Sequence, residues 1–453
     1  MKIIIIGDGK VGTTITENIS KEGHDVTIID NNPIVVENLV NKYDCMGIVG
    51  SGASYEILKS AGVKGADIVI ASTSSDEINI LSCLFAKNLG ASSTIARIRN
   101  YEYNEQIEEM KQNLGLTMTI NPESETANDI LNIINFPEAI HVDRFGDGKV
   151  DLVEIYIPSG SLLIGTRLMD IYPNFKVKVL VCAVQRDDEV IIPTGTFRFE
   201  AKDKIYVNAE RASIKKLLSK IGLMKENKIK KVMIIGGGRI TAYLADGLLK
   251  SKYDVTIIEQ NYDRCLVLEE LFPKATIIHG DGGDQALLEE VGIDTIDCLV
   301  SLTGMDEENI IISMYAYQKQ ISKIIAKVDK HSFSSIIGTI GVASVVSPKD
   351  ITASRIISYV RSKANKHGSN IINLYKLIDG RVEAIEFKAK PNSKILNKAL
   401  KDIKLKPNNL IGSIIRNKEV IIPSGLDQIK VNDSVIVVSL SGQFIDDLDD
   451  ILE

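Results

Sequence analysis

Gly7, Gly9 and Gly12 stand at the spacing Gly-x-Gly-x-x-Gly, directly after the apolar run Ile3–Ile6 and directly before a stretch of helical periodicity. A chain that turns this sharply from strand into helix leaves the first helical N–H groups without intrahelical partners, and such groups attract anions. Gly7 permits the tight turn, Gly9 lets the backbone approach a pyrophosphate, and Gly12 allows close packing of helix on strand. Asp30 follows at the end of the second apolar run, where a carboxylate accepts hydrogen bonds from ribose hydroxyls and repels a 2′-phosphate. The chemistry on offer is the binding of NAD or an adenine nucleotide in preference to NADP. The bland alternative is that the glycines serve turn and packing geometry alone.

The pattern occurs twice. KIIIIGDGKVG at Lys2–Gly12 returns as KVMIIGGGRIT at Lys231–Thr241, so Gly7 corresponds to Gly236 and Asp30 to Glu259. After one inserted residue the correspondence continues, linking Gly50 with Gly280, Asp76 with Asp306, Asn79 with Asn309, Arg97 with Lys327 and Pro193 with Pro423. A duplicated unit of about 230 residues has to be recognised before any fold is assigned. The second turn keeps Gly236 and Gly238 but carries Thr241 where the third glycine would stand. A β-branched side chain there is expected to push helix and strand apart, leaving the second pocket altered, weaker or vacant.

Other strand ends contribute the next candidates, because open α/β sheets hold their ligands at the carboxyl ends of the strands. These are Ser51 with Asp281, Thr73 and Ser74 with Thr303, and Arg97 with Lys327. A cation after the fourth or fifth strand can neutralise a phosphate, although a solvated charge or a salt bridge is the plainer reading of Arg97 and Lys327.

The elements that position these residues follow from the alternation along the chain. Ile3–Ile6, Asp25–Ile29, Met46–Val49, Ile68–Ala71 and Thr94–Ile98 read as strands, and Thr13–Glu22, Ile34–Lys42, Tyr55–Ala61 and Glu77–Leu89 carry helical periodicity between them. Strands apolar on both faces and separated by helices predict a parallel sheet covered on both sides. A helix over Glu123–Ile134, and its counterpart over Lys349–Arg361, each begins after a proline and leads out of the nucleotide domain. Beyond them the pattern changes to short strands with tight turns: Val153–Ile157, Leu180–Gln185, Val190–Ile192 and Lys204–Val207, then Ala384–Phe387, Leu410–Arg416, Val420–Ile422 and Ser434–Val438. The expected fold is α/β, with two Rossmann-like doubly wound parallel-sheet domains, each followed by a smaller α+β domain. The boundaries fall at residues 1–138, 139–224, 229–362 and 363–453, with Lys225–Lys230 as the linker between halves.

Composition narrows the function. With 44% hydrophobic and 25% charged residues the chain resembles an ordinary soluble protein with sizeable cores. A net charge of −7 disfavours a general nucleic-acid surface. The apolar runs fall far short of the roughly 20 residues that span a bilayer, and no secretory signal pattern opens the chain, so the expected location is the cytoplasm. The five cysteines are widely spaced and lack a CxxC pair, as befits reduced, mostly buried thiols.

A nicotinamide-dependent dehydrogenase is the first alternative, because Tyr315-x-x-x-Lys319 with Ser301 upstream has the spacing of the short-chain dehydrogenase set. The pair lies too early in its domain, and its first-copy equivalents are Phe85 and Leu89. Tyr315 therefore reads as helix packing and Lys319 as a surface charge. The five histidines do not cluster: His24 and His331 read as exposed, and His279 as a strand-end residue beside Gly280. No Walker lysine motif, nucleophile elbow or HExxH appears, which leaves catalysis without visible apparatus. A scaffold with vestigial nucleotide folds is the second alternative.

The duplicated glycine unit, the acid after the second strand, TSSDE-x-N at Thr73–Asn79 echoed by GMDEEN at Gly304–Asn309, IARIRN at Ile95–Asn100, and IIP[TS]G in each small domain together carry a resemblance. The whole chain resembles the TrkA family of peripheral regulatory subunits of bacterial and archaeal Trk potassium-uptake systems, which have two RCK N (regulator of K+ conductance) and two RCK C domains. The resemblance implies binding of NAD(H), ATP or ADP in the N domains and assembly as a homo-oligomer, a dimer or tetrameric ring, on the cytoplasmic face of the membrane. It further implies gating of a TrkH- or TrkG-like integral membrane subunit. Family ligand positions carry over to Gly7, Asp8, Gly9, Lys10, Val11 and Gly12, Asp30, Thr73, Ser74 and Arg97. In the second copy they carry over to Gly236, Gly237, Gly238, Arg239 and Ile240, Glu259, Gly280, Asp281, Thr303 and Lys327. Some relatives bind cyclic di-AMP in the small C domains, which here involves segments near Leu180–Pro193 or Leu410–Pro423, although plain core is the weightier reading of those strands.

Overall fold

A computed structural model describes the chain apart from residues 101–103, 137–138, 146–149, 224–228, 331–332, 334–342, 365–370, 379–380, 418 and 444. The first half opens with β1 (Lys2–Ile6), β2 (Asp25–Asp30), β3 (Met46–Val49), β4 (Ile68–Ala71), β5 (Ser93–Arg97) and β6 (Met118–Ile120). They form one parallel sheet in the order β3-β2-β1-β4-β5-β6. β1 and β4 are buried along nearly their whole length because helices cover both faces, which is why their sequences are runs of isoleucine, valine and alanine without alternation. A five-stranded antiparallel sheet follows, built from β7 (Ala139–Phe145), β8 (Val150–Tyr156), β9 (Leu180–Arg186), β10 (Glu189–Ile191) and β11 (Lys204–Ala209) in the order β10-β9-β11-β8-β7.

The second half repeats the plan. β12 (Lys231–Ile235), β13 (Asp254–Glu259), β14 (Thr276–His279), β15 (Cys298–Ser301), β16 (Lys323–Lys327) and β17 (Ala343–Val346) form the second parallel sheet, in the order β14-β13-β12-β15-β16-β17. The closing antiparallel sheet runs β18-β19-β22-β20-β21, with β18 (Ile371–Leu377), β19 (Val382–Lys388), β20 (Asn409–Arg416), β21 (Glu419–Ile421) and β22 (Ser434–Leu440). The architecture is two Rossmann-like domains, each followed by a small domain built on a five-stranded antiparallel sheet. The hairpin strands β7 and β18 and the edge strands β6 and β17 went unread in the sequence; β6 and β17, at three and four residues, are too short to show a period.

The helices that lead out of each parallel sheet exchange places. Pro122–Asn135 buries a stripe at Thr126, Ala127, Ile130, Ile133 and Ile134. The four apolar members of that stripe lie in the core of the second Rossmann-like domain, among Val232, Ile234, Leu244 and Leu248. Pro348–Ala364 does the reverse, placing Ala353, Ile356, Ile357 and Val360 among Ile3, Ile5, Ile15 and Ile19 of the first. Each fully buried isoleucine contributes roughly 2 kcal/mol, so the exchange locks the halves together. Polar contacts finish the joint. Arg361 grips the Glu22 carboxylate through Nε and Nη2 at 2.9 and 2.5 Å, Asn121 Nδ2 donates to Tyr243 Oη at 2.7 Å, and Tyr253 Oη donates to Asn135 Oδ1 at 3.0 Å. The two antiparallel sheets likewise share one apolar cluster, with Leu152, Cys182, Ala183 and Tyr206 against Val382, Ala384, Ile436 and Val438.

Candidate functional site

Each glycine turn follows the central strand of its parallel sheet, where the strand order reverses between β1–β2 and β1–β4, and likewise between β12–β13 and β12–β15. Gly7 and Gly236 have φ of 82° and 99°, a left-handed conformation that favours glycine. The loop after β4 or β15 also presses on them: a Cβ on Gly7 would lie 2.6 Å from Thr73 Cγ2, and one on Gly236 would lie 2.9 Å from the Leu302 carbonyl oxygen. Gly9 and Gly238 are different, because a Cβ on either would meet nothing within 4 Å. The concave side of each turn is open, a cradle that any larger residue would fill.

The helices that start in these cradles, Lys10–Lys21 and Arg239–Lys250, have no side-chain cap and no acid in the first turn. Asn32, Ser75, Asn121, Asn261 and Asp284 cap other helices of the same two domains. Uncapped N–H groups at the positive end of the helix dipole favour an anion by about 0.3–1 kcal/mol per charge. Lys10 and Arg239 are exposed at the two helix starts, Val11 is buried, and Ile240 is half-buried against the second core.

The acids are tied to the turns. Asp30 accepts from Asp8 N and Asn32 N, both at 2.8 Å, and Glu259 accepts from Gly237 N at 2.6 Å and Asn261 N at 2.7 Å. Each carboxylate therefore sits beside its glycine turn at the end of the second strand, a position suited to accepting hydrogen bonds from ribose hydroxyls. Arg264 braces the second turn from its carbonyl side, donating from Nε to Gly237 O at 2.7 Å; the first copy has Val35 at that place.

Thr241 does not act as the expected wedge. Gly9 and Gly238 have nearly the same backbone angles, φ −69°, ψ −166° and φ −68°, ψ −168°, so the two turns match. The reason is an exchange of bulk. A Cβ on Gly12 would lie 2.4 Å from Gly7 O and 2.7 Å from Asp8 Oδ1; the second copy keeps the first neighbour as Gly236 O and lacks the second, having Gly237 in place of Asp8. The Thr241 side chain is fully buried, and its hydroxyl donates to Gly236 O.

Asp8 is the counterpart of that substitution and has its own consequence. It is 4% exposed, Oδ1 has no hydrogen-bond partner, and Oδ2 receives a long 3.4 Å contact from Thr16. Burial, then the nearby Asp30 carboxylate, raises its pKa from 3.8 to about 7.

Among the remaining candidates, Ser51 and Asp281 are exposed and cap local turns through Ala53 N and Gly283 N. Ser74 is exposed beside Thr73, and Gly280 is half-buried at the end of β14. Thr73 and Thr303 are held by Asn79 and Asn309. Asn79 Oδ1 accepts from Thr73 N at 2.8 Å while its Nδ2 donates to Arg97 O at 2.8 Å; Asn309 repeats this with Thr303 N and Lys327 O, both at 2.9 Å. Asp76 and Asp306 brace the next residues, accepting from Arg99 N and Asn100 N, and from Asp329 N and Lys330 N. These four positioning residues were visible as repeat partners, but their spacing alone does not reveal that they staple the fourth strand's loop to the end of the fifth.

Arg97 and Lys327 are not solvated strand-end charges. Arg97 Nε is buried without a hydrogen-bond partner, and burial is the largest influence lowering the guanidinium pKa. Lys327 Nζ donates to Thr303 O at 2.6 Å, and burial lowers its pKa too.

Ser301 is fully buried inside the second sheet, bonded to Asn309 O and Ser313, while Tyr315 and Lys319 meet at the Glu289 carboxylate on the outside. His24 is half-buried rather than exposed, with burial lowering its pKa. His331 lies outside the described residues. His279 packs edge-on against Tyr262, with Nε2 3.1 Å from Gln260 O. Cys83, Cys182, Cys265 and Cys298 are buried and Cys45 half-buried, all free thiols. Leu180, Val190 and Ile192, and Leu410, Ile415 and Val420, pack against the cluster joining the two antiparallel sheets. No group of metal-binding side chains occurs among the described residues, and none of their helices is long and apolar enough to cross a membrane.

Comparison with known proteins matches the same plan. The TrkA-N domain model matches residues 3–122 and 232–348, and the TrkA-C domain model residues 152–222 and 384–452. The Trk system potassium uptake protein TrkA of Vibrio alginolyticus is 33% identical over 99% of this chain and 98% of its own. The TrkA homolog 1 of Methanosarcina mazei is 32% identical over 97% and 98%. Among solved structures, the GsuK channel bound to NAD shares the fold at 16% identity, with a TM-score of 0.63 over 97% of this chain and 77% of that one. The duplicated order of matched domains, coupled to full-length identity above 30%, shows that this chain belongs to the TrkA family of Trk potassium-uptake proteins.

Proposed function

We propose that the chain is a nucleotide-sensing regulatory subunit: both glycine cradles bind NAD(H), ATP or ADP, and the bound state sets the gate of a membrane-embedded potassium-translocating partner of the TrkH or TrkG type. The observation that carries this reading is the pair of open turns over uncapped helix starts, each with a carboxylate tied beside it. Gly9 and Gly238 admit the pyrophosphate, Asp30 and Glu259 take the ribose, and Arg97 and Lys327 face the phosphates. The protein works as a homo-oligomer on the cytoplasmic face of the membrane and turns nothing over. The names of its relatives and the bound NAD and ADP of two GsuK structures support this reading.

A ligand changes the balance between two arrangements only through unequal affinity for them. Moving a 1:99 balance to 99:1 takes about 5.5 kcal/mol, so several cradles acting together suit the task. The exchanged helices supply the linkage, because each cradle's helix packs on the element that leaves the other domain. Calorimetry of Asp30→Ala and Glu259→Ala against NADH, ATP and ADP tests the sites separately. Potassium flux through the reconstituted complex tests the output. Unchanged affinity in both variants, or flux indifferent to nucleotide, removes the proposal.

A further inference from the structure

The two cradles differ by one buried acid. Asp8 stands inside the first turn, where the second turn has Gly237. The Asp8 backbone N–H donates to Asp30 Oδ2 at 2.8 Å, and its own Oδ1 lies 2.7 Å from the point where a Cβ on Gly12 would stand. The carboxyl is therefore held between the start of the helix Lys10–Lys21, the anion-binding end of the cradle, and the acid placed for the ribose. It is 4% exposed, and Oδ1 accepts no hydrogen bond.

Around it stand Thr13 and Thr16 from the helix, Asp30 from β2, and Cys45 from the segment before β3. Burial opposes ionisation of Asp8 most strongly, the Asp30 charge opposes it next, and the two threonine hydroxyls favour it. Asp8 in turn raises the Cys45 thiol pKa, after burial, so that sulfur keeps its proton near neutrality. Lys10, two residues along, carries its ammonium across to Asp329 Oδ2 at 3.1 Å. The result is a carboxyl that changes charge at about pH 7. Val49 ends the neighbouring strand beside Asp30, where the second copy has His279 beside Glu259. His24 stands at the opposite end of the first sheet, near the N-terminus and Asp67.

A pyrophosphate on the glycine turn brings negative charge to the same turn that encloses Asp8, and like charges in a buried site disfavour one another's ionised forms. We infer that the first cradle takes up a proton at Asp8 together with its nucleotide, so that rising pH releases nucleotide from the first half of the chain, a route that Gly237 denies to the second. The linkage is reciprocal: a nucleotide that favours the protonated carboxyl is itself favoured by the proton, by the same factor. Neutral Asp8, at lower pH, leaves the cradle receptive, and ionised Asp8, at higher pH, opposes the phosphates. This rests on the reading of the glycine turns as nucleotide sites.

The test uses the full chain with the second cradle disabled by Glu259→Ala, titrated with NADH at pH 6.5 and pH 8.5. NADH is the probe because its pyrophosphate keeps the same charge across this range. Affinity is expected to fall roughly tenfold between the two conditions, the scale of one proton's linkage across more than one pH unit. Calorimetry at pH 7.5, repeated in buffers of different ionisation enthalpy, is expected to count uptake of a substantial fraction of a proton on binding. Adding Asp8→Asn is expected to abolish both the fall and the uptake and to keep binding at pH 8.5 as tight as at pH 6.5. Should that variant fail to fold, the proton count of the Glu259→Ala chain decides. Binding without proton uptake, or a pH dependence that Asp8→Asn leaves in place, overturns the linkage and leaves nucleotide binding intact. No NADH bound at either pH, in this chain and in the Asp30→Ala chain alike, overturns the underlying reading instead.

Discussion

Replacing Asp8 by Asn should make the protein more stable at alkaline pH while leaving it unchanged in acid. The Asp8 carboxyl is 4% exposed, has an unpartnered Oδ1 and lies beside Asp30, and its pKa rises from 3.8 to about 7. A group whose folded pKa is raised holds its proton more tightly in the native state, so its ionisation subtracts from stability as pH rises. The loss is absent below about pH 4, grows between the two values, and is complete above about pH 7. At about 1.4 kcal/mol per pH unit, that interval corresponds to about 4 kcal/mol as a ceiling. Relaxation of the turn and access of water reduce it, so about 2–4 kcal/mol is the expected difference at pH 8.5. Urea denaturation of the full chain, wild type and Asp8→Asn, at pH 5 and pH 8.5 measures it. The variant's advantage should appear at pH 8.5 and shrink at pH 5. A difference that stays constant between the two conditions refutes the reasoning, because a steric or hydrogen-bonding effect of Asn does not titrate.

Three further perturbations follow from the geometry. Gly12→Thr should destabilise the first domain by about 1–3 kcal/mol through overpacking and abolish nucleotide binding there, and Asp8→Gly in the same chain should recover much of both by recreating the Gly237 and Thr241 pairing. A thermal-shift and calorimetry cycle over the four proteins reads the coupling, and simple additivity would dismiss the exchange-of-bulk argument. Asn309→Ala removes the bonds to Thr303 and Lys327, worth about 2–3 kcal/mol locally, and should weaken nucleotide affinity of the second cradle measured in an Asp30→Ala background. Arg361→Ala strands Glu22 and Glu383, whose side chains are 19% and 15% exposed. The expected cost is about 2–4 kcal/mol, seen as a lower Tm, and Arg361→Lys should restore only part of it because the paired geometry on Glu22 is lost.

Much of this protein is written in its residue order. Two isoleucine-rich strands followed by glycine turns, with an acid at each second strand, require only local geometry to be recognised, because turn, helix start and strand end lie within about thirty residues. The alternation of apolar runs with helical stretches likewise names the parallel sheets, and Pro122 and Pro348 mark where the exit helices begin. What the chain order could not reveal is which core those helices fill. An apolar stripe such as Ala127, Ile130 and Ile134 states that a face must be buried, and two domains of near-identical interior compete for it; only the assembled structure assigns the stripe to the opposite domain. The same holds at single positions. Thr241 reads as an intruder until Gly237 is seen to lack the Asp8 carboxylate that meets this position in the first copy, the burial of Asp8 beside Thr16 and Asp30 shows only in space, and Lys10 meets Asp329 across 319 positions of chain. Side-chain volume and charge act through distance in space, and the spacing of residues along a chain records that distance only where the chain is locally continuous.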